Sequence, residues 1–304
     1  METARAKAAV LIEALPYLQT FRGRTMVVKC GGAAMDPDGD LSSILFSVVF
    51  LSQVGIRPVL VHGGGPFISQ AMKERGKEPA FVRGQRVTDD ETLAIVEDVL
   101  VHHVNPRLVH AIEALGGSAV GLHSRHGRPL QGEKLLAKGP NGEPVDLGHV
   151  GRVFSVRTAV IDDVLDAGSV PVIAPLAVTL DDTTLNCNAD NVAWKVAADL
   201  KAEKLVLLSD VPGILRDPAD EASLISTVTR DEAEQLEREG IIGGGMVPKV
   251  DACMRAVESG VRKAHMIDGR VPHALLLEIF TDQGIGTEIV RSRPRAATPV
   301  PDTQ

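Results

Sequence analysis

Apolar residues run along the chain in two rhythms. Short continuous runs at 25–29, 58–62, 170–173, 204–208 and 264–267 lack polar alternation, the pattern of strands buried on both faces of a parallel sheet. Between them, apolar residues recur at helical spacing. Leu93, Val96, Leu100, Val101 and Val104 form one such stripe. Thr88-Asp89-Asp90-Glu91 supplies its capping candidates, and Pro106 forces a break or a new start. Strands alternating with helices predict an α/β sandwich with a mostly parallel sheet.

Three stretches depart from this rhythm. Residues 83–87 and roughly 127–156 are rich in Gly, Pro and short β runs, and read as antiparallel hairpins attached to the main sheet. Ala8, Leu11, Ile12, Leu15 and Leu18 give the first 20 residues an amphipathic helix ahead of the first strand. Its stripe packs either on its own domain or on another subunit. From Arg291 onward Pro294, Pro299 and Pro301 mark a disordered tail.

Composition narrows the classes. The 304 residues carry 32 basic and 40 acidic side chains, a formal charge of −8. An acidic chain with 3% aromatic residues lacks both the charge and the stacking surfaces of a nucleic-acid binder. The longest apolar stretch, near 44–51, falls far short of the roughly 20 residues that span a bilayer, and no secretory signal pattern is visible. Three scattered cysteines, Cys30, Cys187 and Cys253, read as free thiols in a reducing cytoplasm.

Glycine carries the candidate chemistry. Gly31-Gly32 ends the first predicted strand, and Gly63-Gly64-Gly65 ends the second ahead of Pro66. Backbone N–H groups at such turns approach anions closely. Two glycine turns at neighbouring strand ends mark where an open α/β sheet binds ligand, although either could be a plain turn. No phosphate-loop, dinucleotide-fold, serine-hydrolase or metalloprotease motif occurs. Lys29 closes an apolar strand and implies an anionic partner. Lys249 follows Gly243-Gly244-Gly245 and opens a helix, where it is either functional or merely solvated. Asn186-Cys187-Asn188-Ala189-Asp190 precedes another helix, where an Asx cap is the plainer alternative.

Together these fragments resemble the amino acid kinase family over about residues 5–290. Six segments in order carry the resemblance: Val27-Val28-Lys29-Cys30-Gly31-Gly32, Val61-His62-Gly63-Gly64-Gly65-Pro66, Gly84-Gln85-Arg86-Val87-Thr88-Asp89, Leu185-Asn186-Cys187-Asn188-Ala189-Asp190, Leu208-Ser209-Asp210-Val211-Pro212-Gly213 and Gly243-Gly244-Gly245-Met246-Val247-Pro248-Lys249. The resemblance implies an αβα sandwich of two lobes. Residues 23–180 would bind an acyl substrate and 181–290 would bind ATP. The implied reaction moves the γ-phosphoryl of ATP, accompanied by Mg²⁺, onto the side-chain carboxylate of N-acetyl-L-glutamate, on the route to arginine.

By the same resemblance Lys29, Lys249 and Asp190 are catalytic, and Gly31, Gly32, Gly63 and Gly64 hold phosphoryl oxygens. Gly64, Gly65, Arg86, Asn186 and Asn188 bind substrate; Ser209, Asp210, Gly245, Met246 and Lys249 bind nucleotide; no protein side chain ligates metal. An attacking carboxylate is already ionised at neutral pH, so no general base is required. The N-terminal helix, 1–22, resembles the interaction helix of arginine-inhibited hexamers. Tyr17, Lys204, His265, Glu278 and Gly284 are the implied L-arginine site, with a solvated helix charge as the alternative for Glu278. Two other readings stay open: a kinase of carrier-linked aminoadipate or glutamate, and a non-catalytic arginine-sensing subunit.

Overall fold

The computed structural model describes residues 2–31, 41–82, 84–138, 143–281 and 284–292, with side chains from residue 9 onward except at 138. Gly32 and most of the proline-rich tail lie outside the described residues.

An eight-stranded sheet forms the centre. Its spatial order is Thr227–Thr229, Thr287–Val290, Lys263–Asp268, Lys204–Ser209, Thr25–Cys30, Arg57–His62, Val170–Ile173 and Ala119–Leu122. The last six run parallel, while Thr287–Val290 lies antiparallel to Lys263–Asp268. All five predicted apolar runs are strands of this sheet. The reason for their unbroken apolarity is visible in the core. Met26, Val28, Leu60 and Val206 join a hydrophobic cluster on one face, and Val27, Val59 and Leu205 join a second cluster on the other. Successive strand residues point to opposite faces, so helices on both sides demand apolar side chains at every position.

The hairpins differ from expectation in where they attach. Phe81–Val82 pairs with Gln85–Arg86 as a separate two-stranded sheet. Leu130–Lys138 and Pro144–Val156 close into a barrel with Leu176–Val178 and Thr184–Cys187. Neither joins the main sheet. Barrel closure needs close strand approach: a Cβ on Gly132 would lie 2.7 Å from the Ala177 Cβ, and one on Gly151 would lie 2.6 Å from the Leu185 Cβ.

The predicted stripe at 93–104 is not one regular helix. Asp90–Glu97 is α-helical, Asp98–Val104 is π-helical, and Asn105–Ala114 resumes the α-helix with Pro106 in its first turn. Asp89, rather than Thr88, is the cap, accepting from the Thr92 N–H at 2.8 Å. The N-terminal helix Glu2–Phe21 packs Tyr17 edge-on against Phe280, but leaves Leu11 73% and Ile12 69% exposed in the single chain.

The barrel meets the small hairpin at Thr88. The Thr88 N–H donates to the Leu147 carbonyl at 2.8 Å, and the His149 N–H donates to the Thr88 carbonyl at 2.6 Å. Between them Gly148 has φ +78°, and a Cβ there would lie 2.1 Å from the Thr88 oxygen. Gly148→Ala combines a left-handed backbone with a backbone clash. It is expected to lower stability by more than about 2 kcal/mol, read as a shift of the urea midpoint. An unchanged midpoint would show that this contact does not constrain the fold.

Candidate active site

The site lies at the carboxyl ends of the central strands, where an open α/β sheet places its ligand. Lys29 is the fifth residue of the central strand and is almost fully buried. Its anionic partner is Asp190: Lys29 Nζ sits 2.8 Å from Asp190 Oδ1. Lys249 Nζ approaches Asp190 Oδ2 at 3.7 Å from the other side and is more open to solvent. Burial alone would raise the Asp190 pKa, but the two lysines overcome it and hold the carboxyl below its usual value.

Local sequence explains this placement. Asp190 lies in the first turn of the helix Ala189–Asp199, where backbone N–H groups favour a carboxylate. Asn188 is an Asx cap, as the plainer alternative held: its Oδ1 accepts from the N–H groups of Asp190 and Asn191 at 2.9 and 3.1 Å. Lys249 sits in the first turn of Val247–Glu258, with Pro248 before it. Three segments distant in sequence thus meet at one carboxylate.

Two cavities adjoin this ion triplet. One, of about 250 Å³, is lined by Lys29, Gly31, Gly63, Gly64, Gly65, Arg86, Asn186, Asn188 and Asp190. It gathers every described residue expected to bind substrate or the transferring group on that side. The other, of about 370 Å³, is lined by Ser209, Asp210, Gly213, Gly243, Gly245, Met246 and Lys249. Side chains close in on two of the first cavity's glycines. A Cβ on Gly31 would lie 2.9 Å from Lys29 Nζ, and one on Gly64 would lie 2.4 Å from Leu100 Cδ2.

Arg86 is buried. Its Nη2 donates to the Gly65 carbonyl at 3.0 Å and to Ser69 Oγ at 2.8 Å, and its guanidinium lies over Phe81. Burial lowers its pKa, yet a guanidinium keeps its proton at neutral pH. Thr88 was missed as a site residue. Its hydroxyl donates to the Arg86 carbonyl at 2.7 Å and accepts from Asn186 Nδ2 at 3.2 Å, so one side chain links two candidate substrate contacts. The sequence signal was a threonine two residues after Arg86, which helical spacing presented as a cap.

The three thiols lie close to this region. Cys30 is fully buried and Cys187 nearly so, at the wall of the first cavity, and burial pushes each pKa up to about 12; Cys253 is pushed up as well.

The candidate effector residues also come together, away from both cavities. His265 Nδ1 lies 2.6 Å from Glu278 Oε1, and Glu278 Oε2 accepts from the Ile285 N–H at 2.8 Å. Glu278 is buried, so it is not a solvated helix charge. Burial would raise its pKa, but His265 and Lys204 hold it below the usual value. Gly284 has φ +58° against the same carboxylate. Lys204 Nζ lies over the Phe21 ring at 5.0 Å, and Tyr17 reaches the neighbouring Phe280.

Residues 24–268 match the model of the amino acid kinase family. The chain belongs to that family. The family chain is 46% identical over 96% of its length, and 100% of the relative's, to the acetylglutamate kinase of Halothermothrix orenii. It is 49% identical over 93% of each chain to the acetylglutamate kinase of Caldanaerobacter subterraneus. Among solved structures it resembles N-acetylglutamate synthase from Neisseria gonorrhoeae in complex with coenzyme A and N-acetyl-glutamate, with TM-score 0.81 and 29% identity. The match covers 94% of this chain and 64% of the synthase chain. The same synthase is solved with coenzyme A and L-arginine, TM-score 0.79.

Removing the central charge tests the triplet. Asp190→Asn leaves two lysines facing a neutral group and is expected to cost about 3–5 kcal/mol at neutral pH. The sign follows from linkage. A carboxyl with a lowered folded pKa stabilises above its unfolded value, near 3.8, and loses that contribution as pH falls through the folded value. The gap between the proteins, measured by denaturant melts, therefore narrows in acid. A constant gap down to pH 2 would mean the lost stability is not electrostatic.

Proposed function

We propose that the chain catalyses ATP-dependent phosphorylation of N-acetyl-L-glutamate to N-acetyl-L-glutamyl 5-phosphate. The observation that carries this reading is the Lys29–Asp190–Lys249 triplet between two cavities. Residues 23–180 bind the acyl substrate and 181–290 bind the nucleotide. High identity to curated acetylglutamate kinases over nearly the whole chain supports this choice among carboxylate-phosphorylating reactions.

The side-chain carboxylate oxygen attacks the γ-phosphorus in line. The bond from that phosphorus to the β-bridging oxygen breaks, and ADP leaves with the electron pair. The nucleophile needs no proton removed, so rate comes from alignment and charge neutralisation. Lys29 neutralises the transferring group, Lys249 the leaving side, and Asp190 fixes both ammonium groups. Gly31 and Gly64 offer backbone N–H groups to phosphoryl oxygens, with Gly32 expected beside them from the sequence. The Gly63 N–H is not available, because it donates to the Cys30 carbonyl at 2.8 Å, and Gly63 serves by its lack of a side chain. Arg86 receives the substrate α-carboxylate through the guanidinium hydrogens that Gly65 and Ser69 leave free, beside Gly65, Asn186 and Asn188. Ser209, Asp210, Gly245 and Met246 line the nucleotide side. Mg²⁺ accompanies ATP: it takes few protein ligands and keeps its waters. Among the described residues no three His, Cys, Asp or Glu side chains cluster to hold a metal, which fits an ion carried by phosphates.

L-Arginine is the proposed effector, held by Glu278 with Tyr17, Lys204, His265 and Gly284. A buried carboxylate suits a guanidinium, and the structurally similar synthase has been solved with L-arginine. The exposed stripe of the N-terminal helix is proposed to pack on other copies, building a hexamer from dimers.

A coupled ADP-release assay with ATP, Mg²⁺ and N-acetyl-L-glutamate tests the reaction. Turnover is expected, and Lys29→Met is expected to reduce kcat by about 100-fold or more. Suppression by L-arginine supports the effector site; indifference to it removes that site and keeps the enzyme. Turnover only with a carrier-linked acid would move the chain to another substrate. Deleting residues 1–20 is expected to lower the particle mass in light scattering, and an unchanged mass would end the helix's proposed role.

A further inference from the structure

The second glycine turn has no side chains with which to orient itself. Its preceding residue, His62, is wholly buried in the sheet. His62 Nδ1 lies 2.8 Å from the Gly63 carbonyl oxygen. A carbonyl only accepts, so Nδ1 carries the proton. His62 Nε2 lies 3.1 Å from Asn105 Nδ2. That amide nitrogen also donates to the Val172 carbonyl at 2.8 Å, which fixes which way the amide faces. An amide N–H donating to Nε2 requires Nε2 to be bare. Both ring contacts thus select one tautomer.

The surroundings are shaped for this arrangement. A Cβ on Gly121 would lie 2.0 Å from Asn105 Oδ1, so the neighbouring strand leaves room only because it has glycine there. Asn105 follows directly on the π-helical turn Asp98–Val104. The same turn presents Leu100 to Gly64. One irregular turn therefore serves both ends of the glycine loop, and such turns often sit at functional sites.

We infer that His62, held by Asn105, is a positioning residue that sets the direction of the Gly64 N–H by locking the Gly63–Gly64 peptide plane. A trans peptide is planar, with its C=O and N–H pointing opposite ways. A Gly63 oxygen turned inward to His62 turns the Gly64 N–H outward, toward the cavity that Gly64 lines. The catalytic value of that N–H rests on the phosphoryl-transfer reading above. Burial lowers the His62 pKa to about 4, against the partial compensation of its bond to Gly63. The ring is therefore neutral, and its tautomer constant, at neutral pH.

Two substitutions separate the donor from the ring's bulk. In His62→Asn the amide nitrogen occupies roughly the place of Nδ1 and keeps the bond to Gly63. In His62→Gln the amide reaches the place of Nε2 and meets Asn105 but offers Gly63 no donor. With N-acetyl-L-glutamate and ATP, H62N is expected to keep kcat within about threefold of wild type, while H62Q loses on the order of 10- to 100-fold with both KM values nearly unchanged. Thermal melts confirm that each variant is folded. Wild-type kcat in H62Q, or equal losses in both variants, would overturn the inference. Histidine-¹⁵N spectra of the wild-type chain decide independently of turnover. A protonated Nδ1 and bare Nε2 on His62 support it, and the opposite tautomer overturns it. A wild-type chain inert toward N-acetyl-L-glutamate but showing the expected tautomer would defeat the functional reading and leave the loop's orientation supported.

Discussion

Asp190 brings two lysines to one buried carboxylate, and much of the molecule is arranged so that this is tolerable. A charge taken from water costs several kcal/mol unless it is paired and hydrogen-bonded. Lys29 comes from the central strand, Asp190 from a capped helix start, and Lys249 from a second helix start more than two hundred residues after the first lysine. Each needs the others. Lys29 without Asp190 would be an unpaired cation beneath the sheet's end; Asp190 without the lysines would be a buried carboxyl whose pKa burial raises. The central position of the first strand and the cap at Asn188 therefore answer one electrostatic demand.

The same demand leaves little for side chains to do around the reacting group. An ionised carboxylate nucleophile requires orientation and neutralising charge, not proton removal. Backbone N–H groups supply fixed dipoles without rotamer freedom, and glycine lets them come close. The constraint then moves outward. Something must hold the glycine turns, and the groups that do so are the buried polar ones behind them: His62 and Asn105 at one turn, Thr88 between Arg86 and Asn186.

These supporting groups were the least legible in the sequence. The strands could be read because burial on both faces forces apolar residues at every position, and 25–29 or 204–208 admit no other simple pattern. Lys29 stood out because a cation closes such a run. The barrel could not be read, because its closure depends on the register that brings Gly132 to Ala177 and Gly151 to Leu185. The hairpins were visible as local pairs while their partners were not. The π-turn at Asp98–Val104 was hidden because its apolar residues satisfy helical spacing almost as well. Thr88 looked like a cap because the neighbouring Asp89 is one. Glu278 could be either solvated or buried on its helix, and only packing against His265 and the 284–285 loop decides that it is buried.

The Glu278 cluster and the nucleotide-side cavity share two adjacent parallel strands. Lys204 begins one strand and Ser209 ends it; His265 and Met266 lie within the next. At about 3.3 Å per residue, the length of the first strand separates Lys204 from Ser209 by roughly 17 Å. His265 and Met266 are successive residues that face opposite sides of the sheet, so a ligand at Glu278 would act across the sheet and not by touching the nucleotide. It can alter catalysis only by binding two arrangements of the chain with different affinity. A buried, close-packed strand pair transmits a displacement instead of absorbing it. The arrangements that matter are then those in which the strands move as a unit relative to the 23–180 side. Asp190 and Lys249 both lie on the 181–290 side, so such a shift would act on the 2.8 Å pair between Lys29 and Asp190, which joins the two sides, before the 3.7 Å pair within one side. The triplet's arm to Lys29 is thus where a distant ligand would be felt first.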